Sequence, residues 1–121
     1  MSKIIQKLTK AEEEIMQIIW QLERTTVSAI ISNLKGDKPP HSTISSIVRI
    51  LEKKGFVDHK AFGRTYEYFP IINKESYSKY SIKNLVKGYF EGSTQELVSF
   101  LVKEEEVDLD ELKSIINNMK S

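Results

Sequence analysis

Apolar residues recur along the first half of the chain at the spacing of a helix face. Ile15, Ile18, Ile19 and Leu22 fall at i, i+3, i+4 and i+7, and Thr9 with Glu12 forms a T-x-x-E capping box ahead of them, so the pattern predicts a helix over about 9–24. The spacing returns at Val27, Ile30, Ile31 and Leu34, with Thr25 and Thr26 as candidate caps and Gly36 near the end. "GDKPP" then breaks the chain. A third set, Ile44, Ile47, Val48 and Leu51, predicts a helix over about 41–54 that Gly55 closes through a left-handed C-cap. The opposite side of this third helix shows Ser42, Ser45, Ser46, Arg49 and Lys53, a row of small hydroxyls ending in cations.

After Gly55 the period changes. "FVDHK" and "TYEYFPII" are β-branched and aromatic, and the five residues from Ala61 to Thr65, with Gly63 among them, are expected to join two strands as a hairpin loop. Pro70 suits the end of an edge strand, because it has no N–H to give to a neighbour. Asn73 is a candidate cap for a fourth helix of about 74–91, whose Ile82, Leu85, Val86 and Tyr89 restore the helical spacing before Gly92. Ser93 and Glu96 form a second capping box before a helix of about 94–103. Asp108 and Glu111 begin a last one of about 109–119, with Leu109, Leu112, Ile116 and Met119 near a heptad seam. These three helices have little of the chain to pack on, so a second copy is their expected cover, across Leu85, Tyr89, Leu97, Leu101, Leu109, Leu112, Ile116 and Met119. The expected division is residues 1–72, then 73–121.

Composition narrows the function. With no cysteine among 121 residues, disulfides, thiolate metal sites and cysteine nucleophiles are excluded. No apolar run approaches a membrane span of roughly 18 residues or more, and "MSKIIQKLTKAEEE" has no signal-peptide core, so a cytoplasmic protein without membrane insertion is expected. The net charge is only +1, but residues 35–64 carry seven Lys/Arg against three Asp/Glu. That local excess permits binding of a polyanion.

Three helices followed by a two-stranded hairpin is the order of a winged helix-turn-helix, in which the third helix enters the DNA major groove. The fold class expected is therefore mainly α: a winged helix-turn-helix domain followed by a three-helix dimerisation region. With the Ile44–Leu51 stripe packed inward, Ser42, Thr43, Ser45, Ser46, Arg49 and Lys53 point outward, where hydroxyls read either kind of base edge and cations reach phosphate or guanine. Lys60 and Arg64 flank the hairpin loop as wing contacts, and Ser28 at the start of helix 2 is a candidate phosphate contact.

Several segments resemble the penicillinase-repressor family of transcription regulators, also called the BlaI/MecI/CopY family: "LTKAEEEIMQIIW", "TVSAI", "STISSIVRILEKKGFVDHK", "YEYFP", "ELVSFLVKEE" and "LDELKSIINNMK". The resemblance covers nearly the whole chain. It implies a homodimeric repressor whose winged-helix domains read a palindromic operator and whose C-terminal helices form the dimer. In some relatives a membrane-bound metalloprotease sensor, activated by a β-lactam in antibiotic-resistance systems, leads to a cut at an Asn-Phe bond. The matching position here is Ser99-Phe100, which keeps the phenylalanine and not the asparagine. Some relatives have basic residues where this chain has Ser42 and Ser45, while Thr43 matches the family threonine and Ser46 conservatively replaces another. Copper sensing, which in one branch uses C-terminal cysteines, is not expected.

Other readings fit less of the chain. No phosphate-binding glycine loop, G-x-S-x-G elbow or H-E-x-x-H is present, so no enzymatic activity and no cofactor are expected. His41, His59, Asp37 and Asp58 have no recognised metal-ligand spacing and read as solvated polar residues. Two alternatives remain: a small-molecule-responsive winged helix with a pocket lined by Tyr77, Tyr80, Tyr89 or Phe90, and a winged helix used only for protein assembly. Trp20 reads as core or interface, and "EEEVD" (Glu104 to Asp108) as a solvated, protease-accessible linker.

Overall fold

A computed structural model describes residues 5–104 together with 110 and 114. The described elements are α1 (Lys10–Leu22), α2 (Val27–Asn33), α3 (His41–Lys53), β1 (Val57–Phe62), β2 (Thr65–Pro70), α4 (Lys74–Tyr89) and α5 (Thr94–Lys103). The protein is thus mainly helical with one antiparallel hairpin, in the order expected of a winged helix. Of the expected helix of about 109–119 only residues 110 and 114 are described, both helical, while Leu109, Leu112, Ile116 and Met119 lie outside the described residues, as does most of the "EEEVD" segment. Two compact units part between Tyr80 and Ser81.

In the first unit the start and stop signals operate through identifiable bonds. Thr9 Oγ1 accepts from the Glu12 N–H while Glu12 Oε1 accepts from the Thr9 N–H, which completes the capping box. α1 ends at Leu22, two residues before the expected end, because Thr25 leaves the helix to bond with the hairpin. Its N–H donates to Tyr68 O at 2.9 Å and its C=O accepts from the Tyr68 N–H at 2.7 Å. Thr26 is then the cap of α2, its Oγ1 accepting from the Ala29 N–H. At the end of α3 the Phe56 N–H donates to Leu51 O and the Gly55 N–H to Glu52 O, with Gly55 at φ +83°, a Schellman motif. Phe56, the next residue, is fully buried.

The hairpin pairs Val57 with Pro70 through to Phe62 with Thr65. The loop is therefore Gly63-Arg64, two residues rather than the expected five, because Ala61 and Phe62 find ladder partners in Tyr66 and Thr65. Gly63 has φ +65° and Arg64 does not share a positive φ, the arrangement in which glycine leads a primed two-residue turn matched to strand twist.

The core is the three-helix stripe foreseen from periodicity: Ile15, Ile19, Ile30, Ile44, Val48 and Leu51 are buried, joined by Met16, Phe56 and Val57. Trp20 packs against it and its Nε1–H donates to Ile72 O. Tyr77, at the start of α4, is buried among Trp20, Phe56 and Tyr80, with ring centroids 5.4–5.9 Å apart. Lys54 spans from the end of α3 to α1, its Nζ 2.6 Å from Glu12 Oε1.

In the second unit, α5 is capped by Ser93 Oγ, which accepts from the Glu96 N–H. Glu91 and Gly92 turn through positive φ between the end of α4, at Tyr89 rather than 91, and α5.

Candidate nucleic-acid interface

Burial divides the surface of α3 sharply. Ile44, Val48 and Leu51 are buried, Ile47 is half-buried, and His41, Ser42, Thr43, Ser46, Arg49, Ile50 and Lys53 are exposed. At 100° per residue, Ser42, Ser46 and Lys53 lie opposite the buried stripe. Ser45 is half-buried, because it and Arg49 stand on the flank that faces the hairpin.

On that flank is an open concavity of about 400 Å³. Three elements build it: α2 brings Ser28, α3 brings His41, Ser45 and Arg49 as an i, i+4, i+8 ridge, and the hairpin brings Arg64 and Tyr66. Among the described residues no carboxylate lies within ion-pair distance of either guanidinium. Two permanently charged donors and several hydroxyls thus converge on one open space, suited to an anionic strand lying between α3 and the hairpin.

Four of the residues expected from sequence, Ser28, Ser45, Arg49 and Arg64, are thereby brought together. Ser42, Ser46 and Lys53 stand beside them on the exposed crest of α3. Thr43 turns to the other flank, where it lines a separate hollow with Pro39 and Ile47. Lys60 alternates onto the outer face of the hairpin, its Nζ 5.7 Å from the Phe62 ring centroid. The Ala29 N–H at the start of α2 is used by the Thr26 cap and is not available to a ligand.

His41 and Tyr66, which line the concavity, were not foreseen as part of it. For Tyr66 the missing information was register: on a two-residue loop it falls on the same face as His59 and Tyr68, toward α3.

The hairpin is held to α3 by His59. Its Nδ1 lies 3.0 Å from both oxygens of the Glu52 carboxylate, and its ring stacks on Tyr66 at 4.3 Å and 17°. His59 is thus a structural tie rather than the solvated residue expected. Glu52, Asp58 and His59 offer ligand atoms within 4.8 Å of one another, but the imidazole Nδ1 is already engaged by Glu52. His41 and Asp37 are not part of that group. Burial raises the Tyr68 hydroxyl above its usual range, and the Glu52 carboxylate adds to the effect.

In the second unit, Leu85, Tyr89, Leu97 and Leu101 line an apolar concavity of about 620 Å³ with Phe90 and Phe100. Tyr89 is 80% exposed. Ser99 and Phe100 lie within α5, both exposed, and the Phe100 ring is 5.7 Å from that of Phe90. The four aromatics considered for a ligand pocket are therefore divided: Tyr77 and Tyr80 pack in the first unit, whereas Tyr89 and Phe90 line this second concavity. Among the described residues no helix is long and apolar enough to cross a membrane.

Comparison with known proteins agrees with this architecture. The profile of the penicillinase repressor family matches residues 8–121. The methicillin resistance regulatory protein MecI of Staphylococcus aureus (strain N315) is 27% identical over 112 residues, covering 92% of this chain and 91% of that one. The penicillinase repressor of Bacillus licheniformis is 24% identical over 123 residues, covering 98% and 96%. A solution structure of B. licheniformis BlaI in its monomeric form, in complex with the blaP half-operator, superposes with a TM-score of 0.52 at 31% identity. It covers 63% of this chain and 94% of that one.

Proposed function

The chain belongs to the penicillinase repressor family, and on that premise we propose that it is a transcriptional repressor that binds double-stranded operator DNA as a homodimer. The observation that carries this reading is the convergence of Ser45 and Arg49 with Ser28 and Arg64 around one open concavity beside the exposed crest of α3. α3 lies in the major groove, Ser42 and Ser46 meet base edges, and Arg49 and Arg64 hold the sugar-phosphate strand that runs between helix and hairpin. Lys53 and Lys60 add charge on either side. That the similar BlaI structure is a complex with the blaP half-operator supports operator DNA as the partner.

Residues 73–121 act as the dimerisation region in this reading. The apolar concavity of Leu85, Tyr89, Leu97 and Leu101 supports that role, because a second copy removes this surface from water. A two-fold dimer requires an operator with two half-sites a whole number of helical turns apart. Relief of repression by a membrane-bound metalloprotease sensor acts at Ser99-Phe100. Because that bond lies within α5, cutting it requires the helix to open locally. The expected fragment ends at Ser99.

The test is binding to duplexes selected from a random-sequence pool, followed by fluorescence anisotropy across a salt series. Affinity falls steeply with salt, and Arg49→Ala and Arg64→Ala each make the slope shallower by about one, since each removes one phosphate contact. Salt-insensitive association, or none with any duplex, favours a winged helix used for protein assembly. Sedimentation of the free protein tests the dimer.

A further inference from the structure

The outer face of the hairpin carries two phenylalanines in contrasting surroundings. Phe69, near the base, is half-buried beneath the Arg24 guanidinium, 5.5 Å from its ring centroid, and Arg24 also reaches Glu67 Oε1 at 3.4 Å. Phe62, at the tip, is 53% exposed, and its described ring contact is Lys60 Nζ at 5.7 Å. An apolar side chain at the end of a hairpin adds nothing to the core, whose nearest strand residues are Val57 and Tyr68.

Its surroundings indicate what it meets. The tip, residues 60–65, carries Lys60 and Arg64 and no carboxylate, and the Glu67 carboxylate across the ladder from Lys60 is drawn to Arg24, so the cations nearest Phe62 favour an anionic surface. The turn is only two residues wide and begins with Gly63, which has no side chain, so it is a narrow probe. The concavity between α3 and the hairpin is the space for one sugar-phosphate strand, on the reading above. If α3 occupies the major groove on one side of that strand, the hairpin tip on the other side faces the minor groove. The walls of that groove are deoxyribose rings, an apolar surface bordered by phosphate.

We propose that Phe62 is an apolar DNA contact, seated on the deoxyribose wall of the minor groove that flanks the half-site, with Arg64 entering the groove and Lys60 on the bordering phosphates. This inference rests on the DNA-binding reading, and adds to it a contact that neutralises no charge. The phenyl ring therefore sets affinity without setting its salt dependence.

The experiment compares wild type, Phe62→Ala, Phe62→Leu and Lys60→Ala on a duplex recovered from a random-sequence pool with the wild-type protein. Phe62→Ala weakens binding about tenfold at every salt concentration, giving a parallel line, because the lost burial is apolar. Phe62→Leu keeps most of the affinity, and Lys60→Ala makes the slope shallower by about one. On a duplex whose flank is an A·T tract, netropsin, which fills the minor groove there, competes with wild type and competes less with Phe62→Ala, where Arg64 alone remains in the groove. Equal affinity of wild type and Phe62→Ala, or a deficit that vanishes as salt rises, overturns the proposal. So does a Phe62→Ala protein whose DNA affinity is intact while its self-association is weakened, the result expected of a protein contact. If wild type binds no duplex at all, the DNA-binding reading itself fails, which is a separate outcome.

Discussion

Replacing Tyr77 by phenylalanine removes one oxygen and should destabilise the winged unit by about 2 kcal/mol, within the roughly 1–3 kcal/mol for leaving a buried donor without its acceptor. The Tyr77 hydroxyl accepts from the Leu8 N–H at 3.1 Å and donates to Glu13 Oε1 at 3.2 Å, joining the start of α4 to both the approach to α1 and its first turn. Leu8 is itself buried, so its N–H cannot turn to water, whereas the half-buried Glu13 carboxylate can. Tyr77→Ala also deletes a ring that is 6% exposed and touches Phe56, Trp20 and Tyr80, and should cost about 3–5 kcal/mol. Trp20, the single tryptophan, lies against this ring, so its fluorescence during urea denaturation reports the winged unit directly. For a unit of this size, 2 kcal/mol lowers Tm by roughly 8–16 °C, with an unchanged urea m-value. A Tyr77→Phe protein as stable as wild type would refute the hydroxyl's role. Equal losses for Phe and Ala would refute the contribution of the ring.

Other expectations follow from the same geometry. Burial alone would raise the Glu12 carboxyl, but hydrogen bonds from Lys54 and Thr9 and the Lys54 charge outweigh it and hold it below its ordinary value of 4.5. The folded pKa is thus the lower one, so the stabilisation is present above the unfolded carboxylate range and is lost as pH falls through the folded value. Urea midpoints across an acid pH series should show that loss in wild type and much less of it in Glu12→Gln. Gly55→Ala should cost about 1 kcal/mol or more by denaturation, since its φ of +83° is strained for any side chain although the space beside it is open. Ser45→Arg, selected against a random-sequence pool, should change the preferred half-site; an unchanged preference with uniformly higher affinity would mean that Ser45 does not meet bases. Leu97→Glu should yield monomers in sedimentation if the apolar concavity of the second unit is the dimer seam.

Local signals were legible wherever the deciding interaction is short-range. The Thr9–Glu12 box, the Thr26 cap, the Gly55 stop and the three apolar stripes each operate within a few residues, so spacing alone located α1, α2 and α3 and most of their core. The same arithmetic separated Ser42, Ser46, Arg49 and Lys53 from the buried face of α3, because a 3.6-residue period determines which residues share a side.

Tertiary structure decided what lies across from what. Thr25 ends α1 early through its bridge to Tyr68, a partner 43 positions along the chain that no local pattern names. Register set the hairpin loop at two residues, which put Tyr66 and His59 on the inner face and Lys60 with Phe62 on the outer one. His59 and Glu52 each look like ordinary solvated residues until the hairpin folds back along α3 and brings them to 3.0 Å. The concavity that gathers Ser28, Ser45, Arg49 and Arg64 arises in the same way. Periodicity determines which residues face outward, but the space between two elements depends on long-range packing, and it is that space which gathers scattered hydroxyls and cations around one open concavity.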